Sequence, residues 1–140
     1  MLSNLPEIPI AIRHHQQHER LDNINHHILL SNKQYWNKMT PAYAVMMRDF
    51  ETLRLLLDNG CPIDEWTTRF AARDGRFEML KYTIEHGAPW DQFTLNYAAW
   101  GGDSECFNYL ISIGGKIKLS TYLYALMGRN EHLLKLNSKL

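Results

Sequence analysis

Apolar residues recur with a helical period inside short segments of this chain. They lie three and four positions apart, as in Phe77, Leu80 and Ile84. The segments are separated by glycine, proline, aspartate or asparagine, which are common in turns and at helix ends. The pattern predicts pairs of short helices. Because helices of this length are not stable alone, we expect the pairs to pack against one another.

The same pattern returns along the chain with a 27-residue period, called the repeat period below. Gly60, Gly87 and Gly114 are each one repeat period apart, and each follows an apolar run, as a glycine at a helix C-terminus does. Two further series have steps of 27, 27 and 26: Thr40, Thr67, Thr94 and Ser120, and Glu51, Glu78, Glu105 and Glu131. A second break falls inside each unit, at Arg48-Asp49, Asp74-Gly75 and Gly101-Gly102. Each unit is therefore predicted to be a first helix, a turn and a second helix, with one residue lost after Gly114.

The threonine and serine series is expected to mark the start of each first helix. Hydroxyl oxygens accept hydrogen bonds from the unpaired amides of a helix start, and Pro41 after Thr40 suits the first helical position. A large apolar residue precedes each of these positions, where it can form a hydrophobic staple: Met39, Trp66, Phe93 and Leu119. We expect Trp66 and Trp90 to pack in the core against the next unit.

The segment TPAYAVMMRDFETLRLLLDNGCPID resembles an ankyrin repeat. That family's pattern opens with Thr-Pro, passes through small residues to a Gly-x-x-Glu turn, and closes its leucine-rich helix on Asn-Gly. The 27-residue spacing, the aromatic-Ala-Ala sequence and the Gly-Cys/Ala-Pro-x-Asp tail are similar to shortened ankyrin repeats of large DNA viruses of protists and of some protists. The resemblance covers residues 39–136, although the fourth unit opens with GGKIK instead. It implies an all-α, ankyrin-like helix-turn-helix solenoid with shortened hairpin loops.

The units divide the chain into an N-terminal cap, residues 1–38, and repeats at 39–65, 66–92, 93–118 and 119–140, the last acting as the C-terminal cap. We interpret residues 13–37 as a degenerate first repeat, because the stretch RHHQQHER gives a terminal unit the polar outer face that it needs. An F-box-like start is the alternative, since Leu5-Pro6-Glu7-Ile8 is similar to the opening of that family. It would imply an adaptor that recruits a ubiquitin ligase through residues 1–38.

Charge and composition exclude several classes of function. Fifteen basic and fifteen acidic residues cancel, so no overall positive field attracts nucleic acid. No apolar run approaches the ~20 residues of a membrane span, and no membrane is expected. Cys61 and Cys106 occupy non-equivalent positions, which argues against a disulfide framework and indicates the cytoplasm, or the host cytoplasm if the protein is viral. Charge is uneven: residues 49–91 hold nine acids and five bases, whereas residues 116–140 hold five bases and one acid.

Histidines are concentrated near the N-terminus: His14, His15, His18, His26 and His27. His14 and His18 lie four residues apart and, with further ligands, could hold Zn²⁺ or Ni²⁺. We favour the alternative of a polar capping helix with solvated histidines, and predict no metal. His132 beside Glu131, and Cys61 near Asp64, lack a phosphate cradle or a nucleophile motif. The sequence therefore predicts a protein that is not an enzyme and needs no cofactor.

The resemblance implies that the first helices and turn tips line a concave surface that binds another protein. We take as candidates the positions that the repeat leaves variable: Met46, Met47, Arg69, Arg73, Asp74, Asn96, Trp100 and Tyr122. Trp100 is the leading candidate, because tryptophan and arginine are enriched at binding hot spots. The expected partner is a host or cellular protein, with the chain a monomer or weak homo-oligomer. The competing hypothesis is a structural subunit in which Trp100, Met46 and Met47 contact another copy.

Overall fold

The computed structural model describes residues 26–137, which form helices and turns without a strand. Residues 26–31 are helical (α1) and precede a 3-10 turn at Lys33–Tyr35. The other helices are α2 (Thr40–Met46), α3 (Phe50–Asp58), α4 (Glu65–Arg73), α5 (Phe77–Glu85), α6 (Gln92–Gly101), α7 (Ser104–Ser112), α8 (Leu119–Met127) and α9 (His132–Asn137). The predicted all-α helix-turn-helix fold is confirmed. Contacts divide the chain into two compact units between Tyr35 and Trp36, and the assignment of residues 1–38 as a cap stays a prediction.

From Trp36 onward the helices form two layers. The first helices α2, α4, α6 and α8 pack side by side, and each contacts the second helix that follows it: α3, α5, α7 or α9. The first helices contact one another through small buried residues: Ala44, Ala71, Ala72, Ala98, Ala99 and Ala125. Larger apolar side chains of the second helices fill the space beneath them: Leu53, Leu56, Leu80, Phe107, Leu110 and Leu133. The core is thus a thin layer of apolar side chains between two rows of helices.

At Gly101 and Gly128 the backbones of consecutive units come close together. A methyl group on Gly101 would lie 2.0 Å from the carbonyl oxygen of Arg73, and one on Gly128 would lie 2.2 Å from that of Trp100. These distances are well inside van der Waals contact, so any larger residue forces the backbones apart. The two glycines are one repeat period apart. Each allows its backbone to pack directly against the backbone of the preceding unit.

The turns of successive units place positive φ angles at equivalent positions. Between the two helices of each unit they fall at Arg48 (59°), Gly75 (68°), Gly102 (87°) and Arg129 (58°), each one repeat period from the next. A second series follows the second helices at Gly60, Gly87 and Gly114. The prediction that these three glycines end helices in a left-handed conformation is confirmed.

The prediction that the threonine series caps the first helices is wrong. Asp64 caps α4 by accepting a hydrogen bond from the amide of Trp66 at 3.0 Å, and Asp91 caps α6 by accepting from the amide of Thr94 at 3.1 Å. Thr94 lies three residues inside and returns the bond, because its hydroxyl accepts from the amide of Asp91 at 3.0 Å. Aspartate suits this place better than threonine, since its charge also interacts favourably with the helix dipole. Trp66 accordingly lies within α4 rather than before a cap.

The predicted loss of one residue in the last unit is also wrong. Thr121, not Ser120, is the equivalent of Thr94: it is buried, and its hydroxyl accepts from the amide of Lys118 at 3.0 Å, as that of Thr94 does from Asp91. The first helix α6 begins one full repeat period after α4, and α8 begins one full repeat period after α6. Ser120 and Thr121 are chemically interchangeable at a helix start, which is why the sequence pattern alone selected the wrong one.

We predict that Gly101→Ala destabilises the protein by about 3 kcal/mol, because the new methyl group overlaps the carbonyl of Arg73. The measurement is urea unfolding followed by circular dichroism. Gly60→Asn is the control: nothing lies within 4 Å of a side chain at Gly60, and asparagine tolerates the positive φ. That variant should lose less than about 1 kcal/mol. Equal losses in the two variants would contradict the close approach.

Candidate partner-binding surface

A continuous row of aromatic side chains runs across α4, α6 and α8. We call it the aromatic ribbon, and it consists of Trp66 and Phe70 of α4, Phe93, Tyr97 and Trp100 of α6, and Tyr124 of α8. None of the six is buried, and Trp100 is 37% exposed. The ribbon is continuous because Phe70, Tyr97 and Tyr124 follow one another at the repeat period and therefore occupy one position in successive first helices.

The rings of the aromatic ribbon contact one another within and between units. Within units, the centroids of Trp66 and Phe70 are 5.6 Å apart, and those of Tyr97 and Trp100 are 5.9 Å apart. Between units, Tyr97 lies 6.4 Å from Trp66 and 5.8 Å from Tyr124, and Trp100 lies 6.4 Å from Tyr124. Such pairs gain about 0.5–1.5 kcal/mol beyond area burial, so the ribbon fixes its own geometry.

Two arginines of α4 join the rings of the aromatic ribbon. The guanidinium of Arg69 lies 4.6 Å from the ring centre of Trp66 and 5.1 Å from that of Phe93. The guanidinium of Arg73 lies 5.2 Å from Phe70 and 5.6 Å from Trp100. Each arginine therefore links a ring of its own helix to a ring of the next one. Stacked in this way, the two cations hold the edge of α4 against the edge of α6.

Arg69 also forms an ion pair across the junction between α4 and α6. Its guanidinium donates from both Nε and Nη2 to the carboxylate of Asp91, the residue that caps α6. Burial alone would raise the pKa of Asp91, but hydrogen bonds from Arg69 and Thr94 outweigh burial and hold the pKa below its ordinary value. The hydrogen bond to Asp91 likewise raises the pKa of Arg69. Arg69 is thus a structural link and only 13% of its side chain is exposed.

Arg73 has a carboxylate partner of its own. Its Nε donates to Oδ1 of Asp74 at 3.1 Å, and about a third of each side chain is exposed. The predicted residues Arg73, Asp74 and Trp100 consequently lie close together at the C-terminal end of α4 and α6. Arg69 and Arg73 are both paired with carboxylates of the protein itself. The aromatic ribbon therefore exposes aromatic rings without a net positive charge.

Asn96 was predicted to contact a partner, and its burial contradicts that role. It is 1% exposed and lies at the junction between α6 and α8. Its amide donates to the hydroxyl of Ser120 at 3.0 Å, and its carbonyl oxygen accepts from Thr121 at 2.8 Å and from Gln92 at 3.1 Å. An amide buried among three polar partners is satisfied inside the protein, so Asn96 sets the register of two units instead of facing outward.

The other predicted residues are exposed but do not form one cluster. Met46 and Met47 of α2 are 39% and 76% exposed, and Met46 occupies the position that Arg73 and Trp100 occupy in the following units. Tyr122 is also exposed, but it was taken as the equivalent of Asn96 through the wrong 26-residue step. The 27-residue spacing aligns Leu123 with Asn96 and Tyr122 with Leu95. Tyr122 therefore belongs to the outward face of α8 rather than to the aromatic ribbon.

Four members of the aromatic ribbon were not among the predicted site residues: Trp66, Phe70, Tyr97 and Tyr124. Of these, Trp66 was expected to pack in the core against the next unit. The structure partly supports that interpretation, since Trp66 contacts Tyr97 of the next unit, yet all four rings are only half-buried. A signal for their exposure was present in the sequence. Each first helix already contains small core residues, and a helix packed through alanines leaves large neighbours at the edge of the contact.

Neither an activated thiol nor a cluster of metal ligands is found among the described residues. Burial raises the pKa of the Cys61 thiol to about 11 and that of Cys106 further, so both thiols are protonated at neutral pH. Between residues 26 and 137, no three His, Cys, Asp or Glu side chains converge as ligands of a metal ion would. His14, His15 and His18 of the predicted cluster lie outside the described residues. Within the described range, no helix is long and apolar enough to cross a membrane.

Comparison with known proteins identifies the repeat. The family model described as ankyrin repeats (many copies) matches residues 68–111, from within α4 to the end of α7. The resemblance to ankyrin repeats inferred from the sequence is confirmed, whereas the narrower similarity to viral and protist repeats stays a prediction. No curated protein and no solved structure gives a significant match. Ankyrin repeats generally mediate protein–protein interactions and are typically non-catalytic.

We predict that Asp91→Asn destabilises the protein at pH 7 by about 1 kcal/mol, because it removes the charge that pairs with Arg69 but keeps a capping oxygen. The folded-state pKa of Asp91 is lowered, so its contribution is present above the unfolded pKa of about 3.9 and disappears as pH falls through the lower folded value. Urea unfolding of the variant and the wild type should therefore differ at pH 7 and converge below about pH 3.

The matched control for this prediction is Asp64→Asn, the same cap one unit earlier. Its carboxylate accepts from the backbone amide of Trp66, a bond that an amide oxygen can also accept. We expect that variant to unfold close to the wild-type urea concentration at both pH values. A pH-dependent loss of equal size in both variants would contradict the role of the Arg69 pair.

Proposed function

We propose that this ankyrin-repeat chain binds another cellular protein through the aromatic ribbon and the neighbouring methionines of α2. The observation that carries the proposal is the continuity of the ribbon. Six rings and two stacked arginines connect three successive first helices on one exposed side of the repeats. Tryptophan, tyrosine and arginine are the residues most often responsible for binding energy at protein interfaces.

Rigidity supports this function for the aromatic ribbon. Its rings contact one another, and Arg69 and Arg73 are held by both rings and carboxylates, so few side-chain rotamers remain to be lost on binding. Ordering a flexible side chain at an interface costs about 0.5–1.5 kcal/mol, which a preformed surface avoids. The ribbon thus offers a partner large apolar contacts at a small entropic cost.

Trp100 is the proposed centre of the interface. Its ring contacts Tyr97, Tyr124 and Arg73, so it joins side chains of three first helices while keeping more than a third of its surface exposed. Met46 and Met47 extend the surface onto α2, where flexible thioethers can adapt to the shape of a partner. The internal neutralisation of both arginines favours a partner segment that is apolar or aromatic over one that is strongly acidic.

The same features favour binding over chemistry. The exposed side carries no activated thiol, and its charged groups are committed to structural pairs. Both cysteines of the chain are free and buried at separate places, which supports a reducing compartment such as the cytoplasm. Recruitment of a ubiquitin ligase through residues 1–38 remains an alternative proposal. Co-purification with a ligase subunit that depends on residues 1–38 would support it.

We predict that Trp100→Ala weakens binding of the partner about 30-fold, as expected for a central tryptophan. Affinity purification from the cell of origin, followed by mass spectrometry, identifies proteins retained by the wild type, and calorimetry then measures their affinity. Ile113→Ala is the matched control, because Ile113 is equally exposed, at 37%, but follows the second helix α7. A partner that is retained equally by both variants would contradict the proposed interface. Arg69 is unsuitable for this test, since its replacement also breaks the pair with Asp91.

Self-association through the same residues is the competing proposal. Light scattering at micromolar concentration distinguishes the two, and we expect a monomer whose mass does not change in Trp100→Ala. A stable dimer in the wild type that Trp100→Ala converts to a monomer would show that the aromatic ribbon binds a second copy instead.

A further inference from the structure

The outward face of α8 carries five large apolar side chains that nothing in the described chain covers. We call it the α8 end face, and it consists of Leu119, Tyr122, Leu123, Leu126 and Met127. Their exposed fractions range from 43% at Tyr122 to 76% at Leu119. The spacing i, i+3, i+4, i+7, i+8 places all five on one stripe of the helix. The general requirement that a terminal repeat have a polar outer face is not met on this side of α8.

The equivalent face of α6 shows what such a stripe contacts elsewhere in the repeats. The positions one repeat period earlier are Gln92, Leu95, Asn96, Ala99 and Trp100. Leu95, Asn96 and Ala99 are at most 1% exposed, because α8 packs across this face of α6. The α8 end face is therefore the equivalent, one repeat period later, of the surface of α6 on which α8 lies.

Two positions of this face differ in chemistry from the earlier junctions. Arg69 in α4 holds the next unit through hydrogen bonds to Asp91. Asn96, its equivalent in α6, does so through hydrogen bonds to Ser120 and Thr121. The equivalent residue in α8 is Leu123. Gln92 in α6 donates to Thr121 and to the carbonyl of Lys116, and its equivalent is Leu119. In α8, leucines thus replace the polar groups that set the register of a following repeat unit. This face therefore suits an apolar occupant other than a repeat unit held by hydrogen bonds.

Positive charge lies at both ends of α8. Lys118 precedes the first residue of α8, Arg129 follows its last residue by two, and both are exposed. Lys116 and Lys135 are exposed nearby in sequence, and the only acidic residue between positions 114 and 137 is Glu131. Two copies packed through this face would bring like charges together, whereas carboxylates on an occupant would pair with them.

We propose that the α8 end face binds an amphipathic helix of a partner protein, with an apolar stripe flanked at both ends by aspartate or glutamate. The helix would lie across α8 as α8 lies across α6, with its apolar side chains on Leu123 and Leu126 and its carboxylates near Lys118 and Arg129. This site shares no residue with the aromatic ribbon and adds a second binding surface to the proposed function.

The test uses the full chain and two synthetic helical peptides of about 18 residues. Both carry leucines at i, i+3, i+4 and i+7; one has glutamates at both ends and the other has lysines. Fluorescence anisotropy of the labelled peptides measures affinity. We expect the glutamate peptide to bind at least about tenfold more tightly than the lysine peptide. Lys118→Glu/Arg129→Glu should reverse that preference. Equal binding of the two peptides would overturn the proposed role of charge.

Substitutions of the apolar stripe test the site itself. Leu123→Asp/Leu126→Asp should lose at least about tenfold in affinity for the glutamate peptide, because both leucines are half-exposed and their replacement leaves the core intact. Met46→Asp/Met47→Asp, two exposed apolar residues of α2, is the matched control and should bind normally. Trp100→Ala should also bind normally, which separates this proposal from the aromatic ribbon. Circular dichroism confirms that each variant is folded.

Three results would overturn the proposal. Unchanged peptide binding by Leu123→Asp/Leu126→Asp would place the peptide elsewhere. A dimer in light scattering that the same double variant dissolves would make a second copy the occupant. Binding to phosphatidylserine vesicles, without binding of the glutamate peptide, would make the face a lipid-binding surface.

Discussion

Consecutive first helices meet backbone to backbone, and the rest of the structure follows from that contact. Alanines line the junctions, and Gly101 and Gly128 remove the last methyl groups where the carbonyls of Arg73 and Trp100 approach. Where the backbones come this close, at the C-terminal ends of the first helices, no large residue fits between them. Large residues are displaced to the edges of each junction, where they meet their equivalents from the next unit. The aromatic ribbon is therefore a consequence of small-residue packing as much as of the aromatic residues themselves.

Polar interactions then determine how one unit is placed on the next. Apolar contacts between alanines are not directional, so they allow neighbouring helices to slide. The pair between Arg69 and Asp91, and the bonds of Asn96 to Ser120 and Thr121, have defined geometry and remove that freedom. Asp91 has two roles, since it caps α6 while binding α4. The start of one helix is thereby tied to the side of another, and helix boundary and register are set together.

The sequence pattern predicted the helix pairs well because few residues can meet the backbone requirements behind it. Glycine suits the positive φ angles after the second helices, and apolar residues must follow the helical period to be buried. The pattern predicted the details less well where two residues are chemically equivalent. Asp64 and Thr67 are both good capping residues, and so are Ser120 and Thr121, so only the three-dimensional fold distinguishes them. Asn96 was placed on the surface for a similar reason. A polar residue at a variable position is usually exposed, and its burial depends on hydroxyl partners about 25 residues away in sequence.

The turn residues between helices have a consequence for the order in which the repeats open. Gly75 and Gly102 adopt positive φ without steric cost, whereas Arg48 and Arg129 adopt it at a cost of about 1 kcal/mol each. The strained turns belong to the first and last of the four helix pairs described from Trp36 onward, α2–α3 and α8–α9, and the relaxed turns belong to the two central pairs. The local stability of a unit depends on its own folding and on its contacts with its neighbours, so this strain should make fluctuations begin in α2–α3 and α8–α9 and reach the central pairs last. Trp66, Arg73 and Trp100 all lie in the central pairs, where backbone amides should exchange most slowly, so a bound partner would contact the most persistent part of these four helix pairs.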